Sequence, residues 1–221
     1  MDRSKLKSYV INLTSNTVRL KQFYNEYNEN IKNLLGPVER FDAIDGYTVS
    51  IPEYWKSDTY KMDFPDVSIQ GAYGCYMSHY TILQDFVNSN LEVIHIYEDD
   101  ASFIDNFEEK YKLFMNNVPL DWDALYLGYT TNSDPFCINK YCYKVGYNGV
   151  NTTISYIINK NGAIKYLDKL DKIKLNDNFT SHEPIDCQYS RFMHDMNVYI
   201  PIEPLVSPGK YGAKEYSSVY V

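Results

Sequence analysis

The sequence predicts an α/β fold in which a mostly parallel central sheet carries helices on both faces. Two observations support this class. Short apolar segments of strand type alternate along the chain with longer segments whose apolar residues recur every three or four positions, and this alternation is typical of parallel sheets covered by helices. In addition, the apolar segment 91–97 leads directly into three acidic residues, as expected where a buried strand ends at the edge of an open sheet.

The first half of the chain predicts two strands, two helices and a long loop. An apolar strand at 8–13 precedes a helix that Ser15 or Asn16 can cap. Apolar residues continue at helical spacing as far as Leu35, and Gly36-Pro37 then ends the helix. The remaining elements are a strand at 38–42, a turn at Asp45-Gly46, a loop at 47–70 of the length that often forms a lid, and a helix at 72–89.

The second half continues the same alternation. Its predicted elements are a strand at 91–97, a helix at 106–117, a strand at 124–128, a loop-rich segment at 129–150, a strand at 153–158, helices at 161–170 and 184–195, and a short strand at 197–200. The helix at 184–195 opens with Pro184, and proline is favoured in the first turn of a helix.

Composition indicates one globular domain. The 221 residues can bury an ordinary core without a structural metal or disulfide. A net charge of -8 disfavours nucleic-acid binding, which depends on neutralising phosphates. The N-terminal apolar run is too short for a signal peptide or a transmembrane segment. The four cysteines, Cys75, Cys137, Cys142 and Cys187, fit no zinc spacing. Because no signal peptide is predicted, we expect free thiols and a cytoplasmic location, in a bacterium or in a host cell if the chain is viral.

Glu98, Asp99 and Asp100 form the strongest local signal for chemistry, because they follow the apolar segment directly. Like charges packed together raise one another's pKa and cost free energy, so the triplet must be either solvated or compensated. Full solvent exposure is the simpler alternative. In an open α/β sheet, however, ligands bind beyond the carboxyl ends of the strands, where a divalent cation would relieve the repulsion and bridge to phosphate oxygens.

Two further segments combine polar residues with a predicted helix start. The segment from Gly71 to His79 opens a helix with small residues and places Ser78 in its first two turns. Because helix N-termini favour anions, this segment is a candidate contact for phosphate or sugar, or simply a helix start with a hydrogen-bonded histidine. His182 and Asp186 are four positions apart and could share a helical face; the alternative is a capped helix start with surface polar residues.

Taken together, these segments resemble glycosyltransferase family 25, which includes lipopolysaccharide galactosyltransferases and collagen-type galactosyl- and glucosyltransferases. The blocks that carry the resemblance lie in family order, and they are Val10–Leu13 followed by Arg19, Arg40–Gly46, Gly71–His79, Ile96–Ala101, Trp122–Gly128, Thr153–Ile158 followed by Gly162-Ala163, and Pro184–Asp186. The sequence departs from the family pattern at 14–16, in the loop at 47–70 and in the tail after Pro208.

The resemblance implies a Rossmann-like GT-A fold and the transfer of a hexose, galactose or glucose, from a UDP-sugar with inversion. The acceptor would be a hydroxyl of a glycan, a lipid-linked glycan or a protein, and Mn²⁺ or Mg²⁺ would be the cofactor. On this reading, one domain spans 1–221. It comprises a nucleotide-binding half at about 1–101, an acceptor-binding and catalytic half at about 102–208, and a tail at 209–221.

The resemblance also assigns roles to individual residues. The triplet is a DXD-like motif in which Asp100 binds the metal with help from Glu98 or Asp99. The residues predicted to contact the nucleotide-sugar are Asn12, Leu13, Arg19, Asp45, Ser78, His79, Glu98 and Asp99. Inversion requires a base that takes the proton of the attacking hydroxyl. Asp186 is the first candidate, and His182 and Glu183 are alternatives, of which His182 could instead complete the metal shell.

Two other functions are compatible with the same residues. One is a catalytically inactive module that binds a nucleotide-sugar, which the intact acidic triplet disfavours. The other is a metal-dependent phosphohydrolase, which would release phosphate without an acceptor, although the sequence lacks the histidine-rich clusters common in two-metal hydrolases.

Overall fold

The computed structural model describes residues 5–55, 68–131, 135–174 and 183–209, with the backbone alone for residue 54 and residues 171–174. The helices are α1 Thr17–Glu26, α2 Glu29–Leu35, α3 Ile69–Asn88, α4 Phe107–Asn117, α5 Lys160–Lys174 and α6 Ile185–Ser190, with 3₁₀ turns at Glu53–Trp55 and Met193–Asp195. The strands are β1 Leu6–Asn12, β2 Val38–Asp42, β3 Val93–Glu98, β4 Ala101–Phe103, β5 Ala124–Thr130, β6 Phe136–Asn139, β7 Cys142–Lys144, β8 Asn151–Asn159, β9 Val198–Pro201 and β10 Val206–Pro208.

Eight strands form one sheet in the order β2-β1-β3-β8-β5-β9-β7-β6, and β4 pairs with β10 in a separate two-stranded sheet. β2, β1 and β3 are parallel neighbours, and β9 is parallel to β5. β8 runs antiparallel between β3 and β5, and β7 runs antiparallel between β9 and β6. Six strands therefore point one way and two point the other, which confirms the predicted α/β class with a mostly parallel sheet.

Helices cover both faces of the sheet, as predicted. On one face, α3, α5 and α6 pack over a core that includes Ile94 and Tyr126. On the other face, α1, α2 and α4 pack over a core that includes Val10 and Leu125. Successive residues of a strand point to opposite faces, so the continuous apolar runs of β3 and β5 supply both cores.

The segment predicted as one helix up to Leu35 consists of two helices, which corrects the sequence interpretation. Asn16 caps α1, as one of the two predicted caps, through a 3.3 Å hydrogen bond. Asn28 interrupts the segment and caps α2, because its Oδ1 accepts two backbone N–H groups at 3.0 and 3.2 Å. Both helices present apolar residues to the same core, so apolar spacing does not reveal the break. Gly36 ends α2 with φ of +88°.

Other differences concern short elements. The segment predicted as loop-rich at 129–150 contains the antiparallel pair β6 and β7. The helix predicted at 184–195 ends as α6 at Ser190, and β4 and β10 were not predicted. Of the predicted loop at 47–70, residues 56–67 lie outside the described residues, as does the tail from 210 onward. Within the described part of the chain, no helix has the length and apolar character needed to cross a membrane.

Candidate active site at the carboxyl ends of three parallel strands

A cleft opens where the parallel strands β2, β1 and β3 end. Because these neighbours run the same way, the residues that follow them meet at one edge of the sheet. The cleft measures about 690 Å³ with its open mouth included, and the first turns of α3 form one wall. Nine residues that the sequence predicted as donor or metal contacts line it: Asn12, Leu13, Arg19, Asp45, Ser78, His79, Glu98, Asp99 and Asp100. Their proximity is observed, while the role of each remains a prediction.

Asn12 and Arg19 hold the middle carboxylate of the acidic triplet. Asn12 Nδ2 donates to Asp99 Oδ2 at 2.6 Å, and Asn12 Oδ1 accepts Arg40 Nε at 3.0 Å. Arg19 Nη2 pairs with Asp99 Oδ1 at 2.6 Å and with Asp100 Oδ2 at 3.1 Å. Burial raises the pKa of Asp99, although Arg19 and Asn12 oppose the shift. The guanidinium therefore bridges two carboxylates in the wall of the cleft.

Asp100 is the least compensated carboxylate at this edge. Its Oδ2 contacts Arg19, whereas its Oδ1 is buried and receives no hydrogen bond from any described residue. Burial first, and then the charges of Glu98 and Asp99, raise the pKa of Asp100 to about 7, despite the opposing charge of Arg19. An aspartate in water has a pKa of about 3.9. The positive charge of Arg19 therefore does not offset the burial of Asp100 and the two carboxylates beside it.

Glu98, at the end of β3, is held by residues of two other elements. Thr153 Oγ1 donates to Glu98 Oε1 at 2.5 Å, and His79 Nε2 lies 3.4 Å from the same oxygen. His79 Nδ1 contacts Tyr156 Oη at 2.9 Å. Burial disfavours the charged form of Glu98, but His79, Thr153 and Arg19 outweigh burial and lower the pKa of Glu98. The outer carboxylates of the triplet thus differ, since Glu98 is stabilised as an anion and Asp100 is not.

Two glycines let the turn after β2 lie directly on α3. A Cβ added at Gly46 would lie 1.8 Å from the carbonyl oxygen of Gln70, and one added at Gly74 would lie 2.5 Å from that of Ile44. Ser78 fixes this crossing, because its hydroxyl accepts the N–H of Ile44 at 2.8 Å and donates to the carbonyl of Gly74 at 2.7 Å. The hydroxyl of Ser78 therefore shapes the wall of the cleft, and its contact with the donor stays a prediction.

Asp186 is not among the described residues that line the cleft. It lies in the first turn of α6, where its Oδ1 accepts the N–H of Cys187 at 2.9 Å and its Oδ2 accepts the N–H of Thr152 at 3.0 Å. Thr152 has φ of +79°, a strained conformation for a β-branched residue. Asp186 is near enough to Cys75 to add to the effect of burial, the main cause of the raised pKa of that thiol. Asp186 is thus held by two backbone N–H groups close to Cys75, which is one of the residues that line the cleft.

The two alternative candidates for the base are placed differently. Glu183 lies two residues before α6, next to the N-cap residue Pro184. Its side chain forms an ion pair with Arg191, and its carbonyl accepts Gln188 Nε2 at 2.7 Å. These contacts stabilise the ends of a short helix. His182 lies outside the described residues.

Sequence comparison decides the family of the chain. The profile of glycosyltransferase family 25 (LPS biosynthesis protein) matches residues 5–134, a segment that contains every described residue that lines the cleft. The chain belongs to glycosyltransferase family 25. The resemblance inferred from the sequence motifs is thereby confirmed.

Curated relatives in family 25 match parts of the chain. The probable inactive glycosyltransferase 25 family member 3 of Rattus norvegicus is 34% identical over 96 residues, covering 39% of this chain and 17% of the relative. Procollagen galactosyltransferase 2 of Homo sapiens is 34% identical over 62 residues, covering 27% of this chain and 10% of the relative. The glycosyltransferase 25 family member of Aedes aegypti is 27% identical over 191 residues, covering 76% of this chain and 28% of the relative. The chain therefore spans between 10% and 28% of the length of these relatives.

Solved structures of glycosyltransferases show distant similarity. The crystal structure of a glycosyltransferase involved in the glycosylation of the major capsid of PBCV-1 gives a TM-score of 0.40 at 8% identity, covering 89% of this chain and 92% of that one. The crystal structure of S. aureus TarS 1–349 gives a TM-score of 0.42 at 10% identity, covering 96% of this chain and 63% of that one.

Three residues that shape the family 25 site were not predicted. Arg40 holds Asn12, Thr153 holds Glu98, and Tyr156 holds His79. Arg40 opens the sequence block that ends at Gly46, so its charge beside a motif was a usable signal. Thr153 and Tyr156 also belong to a motif block, Thr153–Ile158, but only the strand order brings β8, which contains them, beside β3.

Proposed function

We propose that this chain is an active glycosyltransferase that transfers a hexose, galactose or glucose, from a UDP-sugar. The acceptor is a hydroxyl of a glycan, a lipid-linked glycan or a protein. The transfer inverts the configuration of the sugar and uses Mn²⁺ or Mg²⁺. The acidic triplet carries the proposal, because it faces a cleft shared with Arg19, Asp45 and the first turns of α3 instead of bulk solvent. Membership of family 25 supports glycosyl transfer. The name of the human relative, a procollagen galactosyltransferase, supports galactose as the sugar and a protein as one acceptor.

The residues at the end of β3 fit a divalent cation. Asp100 Oδ1 is buried without a hydrogen-bond donor among the described residues, and Glu98 is stabilised as an anion beside it. Carboxylate oxygens are the ligands that Mn²⁺ and Mg²⁺ prefer. Asp100 and Glu98 would hold the ion, which supplies Lewis-acid stabilisation of the charge on a departing nucleoside diphosphate.

Asn12 and Arg19 prepare this site by fixing Asp99 and one oxygen of Asp100. Arg19 is 7% exposed and Asp99 is 8% exposed, so both side chains are held in place before any ligand enters. Fixed charges of this kind need no reorganisation during a reaction and stabilise developing charge more strongly than mobile ones do. Arg19 leaves Asp100 Oδ1 available, which is the property that a metal ligand needs.

Asp186 is the proposed base, with His182 and Glu183 as the alternatives. The proton of the acceptor hydroxyl would pass to a carboxylate oxygen of Asp186 as the hydroxyl oxygen bonds to the anomeric carbon. The bond from that carbon to the diphosphate oxygen would break at the same time, and the nucleoside diphosphate would leave. Each Asp186 oxygen accepts one backbone N–H and keeps a second lone pair for that proton. The same hydrogen bonds hold the carboxylate in one orientation, as general-base catalysis requires.

A second candidate function is binding of a nucleotide-sugar without turnover. The rat relative that is 34% identical is named probable inactive. In this chain, moreover, Arg19 already compensates part of the negative charge of the triplet. The intact pair of Glu98 and Asp100 favours the active enzyme.

Turnover measurements separate the two functions. Purified protein is incubated with UDP-galactose or UDP-glucose, with collagen-type peptides or glycans as acceptors, and with Mn²⁺ or excess EDTA. We expect release of UDP and a glycosylated acceptor with Mn²⁺, and loss of turnover in EDTA. Full turnover in EDTA would exclude a required metal, and metal-dependent release of phosphate without an acceptor would indicate a phosphohydrolase.

Thermal unfolding tests the nucleotide independently of the acceptor. With Mn²⁺ present, we expect UDP to raise the melting temperature more than ADP or GDP does. A ligand at 100 times its dissociation constant stabilises a protein by about 2.7 kcal/mol, which is readily measured. Equal shifts for the three nucleotides would contradict recognition of the base, and a UDP shift without turnover would support the binding module.

A further inference from the structure

Cys75, His79 and Glu98 bring three kinds of metal-ligating atom together on the α3 side of the cleft. Cys75 Sγ, a ring nitrogen of His79 and a carboxylate oxygen of Glu98 all lie within 4.8 Å of one another. Cys75 and His79 are four positions apart on α3, a spacing that places side chains on the same helical face. Glu98 reaches them from the end of β3. Two elements remote in sequence therefore form the group.

The imidazole of His79 is arranged as metal-binding histidines commonly are. The side chain is fully buried, and its Nδ1 contacts Tyr156 Oη at 2.9 Å. Its Nε2 is buried, and within the described part of the chain it makes no hydrogen bond, although Glu98 Oε1 lies 3.4 Å away. A histidine ligand usually binds the metal through one ring nitrogen while the other is held by a hydrogen bond. At this distance the hydrogen bond from Nε2 to Glu98 is poorly formed, and an ion bound between Nε2 and Glu98 would satisfy both groups.

The chemistry of the three atoms selects the kind of ion. Thiolate and imidazole ligands favour Zn²⁺, whereas Mn²⁺ and Mg²⁺ prefer sites made of oxygen alone. Burial, followed by the charges of Glu98, Asp186 and Asp100, raises the pKa of the Cys75 thiol. A divalent cation would reverse that electrostatic effect, and binding would release the thiol proton to solvent as the sulfur–metal bond forms.

We propose that Cys75, His79 and Glu98 form a binding site for a thiolate-seeking divalent cation such as Zn²⁺, with one coordination position left for water. The site differs from the oxygen-only site at Asp100 in its thiolate and imidazole ligands, and its occupation does not require the proposed transferase reaction. Because Glu98 belongs to both sites, Zn²⁺ on the α3 side of the cleft and Mn²⁺ at Asp100 compete for the same carboxylate.

Cobalt binding tests the site without any turnover. The full chain is freed of metal with EDTA, dialysed and titrated with Co²⁺, which takes zinc sites and absorbs in the near ultraviolet when a thiolate binds it. We expect this band in the wild type and in Cys137→Ser, a control that removes an exposed thiol, and we expect Zn²⁺ to displace it. Cys75→Ser should abolish the band and weaken Zn²⁺ binding by about tenfold or more, since loss of even an outer-shell partner costs roughly 10–100-fold.

Alkylation of the wild-type protein provides a second measurement that does not depend on the folding of a variant. Zn²⁺ should slow the reaction of Cys75 with iodoacetamide, followed by mass spectrometry of the peptides, while the exposed thiol of Cys137 reacts at an unchanged rate. Absence of the cobalt band in the wild type, its persistence in folded Cys75→Ser, or unchanged alkylation of Cys75 in Zn²⁺ would each overturn the proposal.

Discussion

Asp100 and Asp123 are aspartates at opposite edges of the same sheet, and the protein treats them in opposite ways. Asp123 precedes β5, at the amino end of the strands, and is 2% exposed. Its Oδ1 accepts Asn161 Nδ2 at 2.8 Å, and its Oδ2 accepts Lys165 Nζ at 2.7 Å and the N–H of Asn197 at 2.9 Å. Asp100, at the carboxyl end of β3, has one oxygen without a donor among the described residues and a pKa raised to about 7.

This difference distinguishes a carboxylate that stabilises the fold from one that is kept for a ligand. Asp123 ties β5 to α5 and to the segment before β9 through three donors, so its charge is compensated by the protein alone. Asp100 shares the positive charge of Arg19 with Asp99. Its ionised form therefore raises the free energy of the folded state. A protein retains such a cost where function requires it.

The largest effect is expected at Asp186, which tests whether a carboxylate with both oxygens hydrogen bonded is always structural. Asp186→Asn should lower kcat by about 10²–10⁴-fold, the usual effect of losing a general base. Because a base acts in the transition state, kcat and kcat/KM should fall together while UDP affinity stays nearly unchanged. Steady-state kinetics and UDP binding on the one variant supply the measurement.

Glu183→Gln is the matched control for Asp186→Asn, since it alters a neighbouring carboxylate that is paired with Arg191. If Asp186 is the base, Glu183→Gln should retain most of its turnover. A kcat for Asp186→Asn within about threefold of wild type would place Asp186 with Asp123 as a purely structural carboxylate.

The second effect concerns Asp100. Asp100→Asn should lower kcat by about 10²–10³-fold, as expected for removing one group that stabilises developing charge, and should weaken UDP binding in Mn²⁺. The same substitution should leave the metal-free protein at pH 8 as stable as the wild type or more stable, because it removes a buried charge that Arg19 compensates only in part. Kinetics and thermal unfolding in EDTA check both statements, with exposed Asp105→Asn as a silent control. A large loss of stability would show that Asp100, like Asp123, stabilises the fold.

The third effect is a loss of stability without a loss of turnover, and it is expected at Asp123, at the amino ends of the strands. Asp123→Asn should destabilise the protein by about 1–3 kcal/mol, because an amide cannot serve all three donors and leaves a buried one unsatisfied. Turnover of the folded fraction should stay near that of the wild type, since Asp123 is remote from the cleft. Chemical unfolding and activity at low temperature measure the two quantities. Unchanged stability would contradict the structural role given to this carboxylate.

The last prediction concerns the pH dependence of stability. An ordinary aspartate pKa of 3.8 is raised to about 7 for Asp100 in the folded protein, so the unfolded chain loses this proton at lower pH than the folded chain does. The contribution of Asp100 to the free energy of unfolding therefore falls as pH rises from about 4 to about 7. The free energy of unfolding in EDTA, measured for wild type and for Asp100→Asn, should shift in favour of the variant across that window. A constant difference would refute the raised pKa.

Local sequence patterns predicted much of the fold. The apolar run before the acidic triplet became β3, and the helix predicted at 106–117 became α4 at Phe107–Asn117. The nine predicted residues that line the cleft also followed from the sequence, because they match family motifs and several of them come directly after strands whose carboxyl ends meet. The break at Asn28 did not follow, since a capping side chain can start a helix within a continuous apolar stripe.

The tertiary structure decided the electrostatics of the site. Nothing local to residues 98–100 indicates that Thr153 and His79 stabilise Glu98, or that Arg19 compensates Asp99 more fully than Asp100. These contacts arise because β8 enters the sheet antiparallel beside β3, and because α1 and α3 bring Arg19 and His79 to the carboxyl end of β3. The sequence by itself determines which residues follow each strand, since strand and helix patterns are local. The pKa of a carboxylate depends on burial and on charges within a few ångströms, and folding brings those charges from distant parts of the chain.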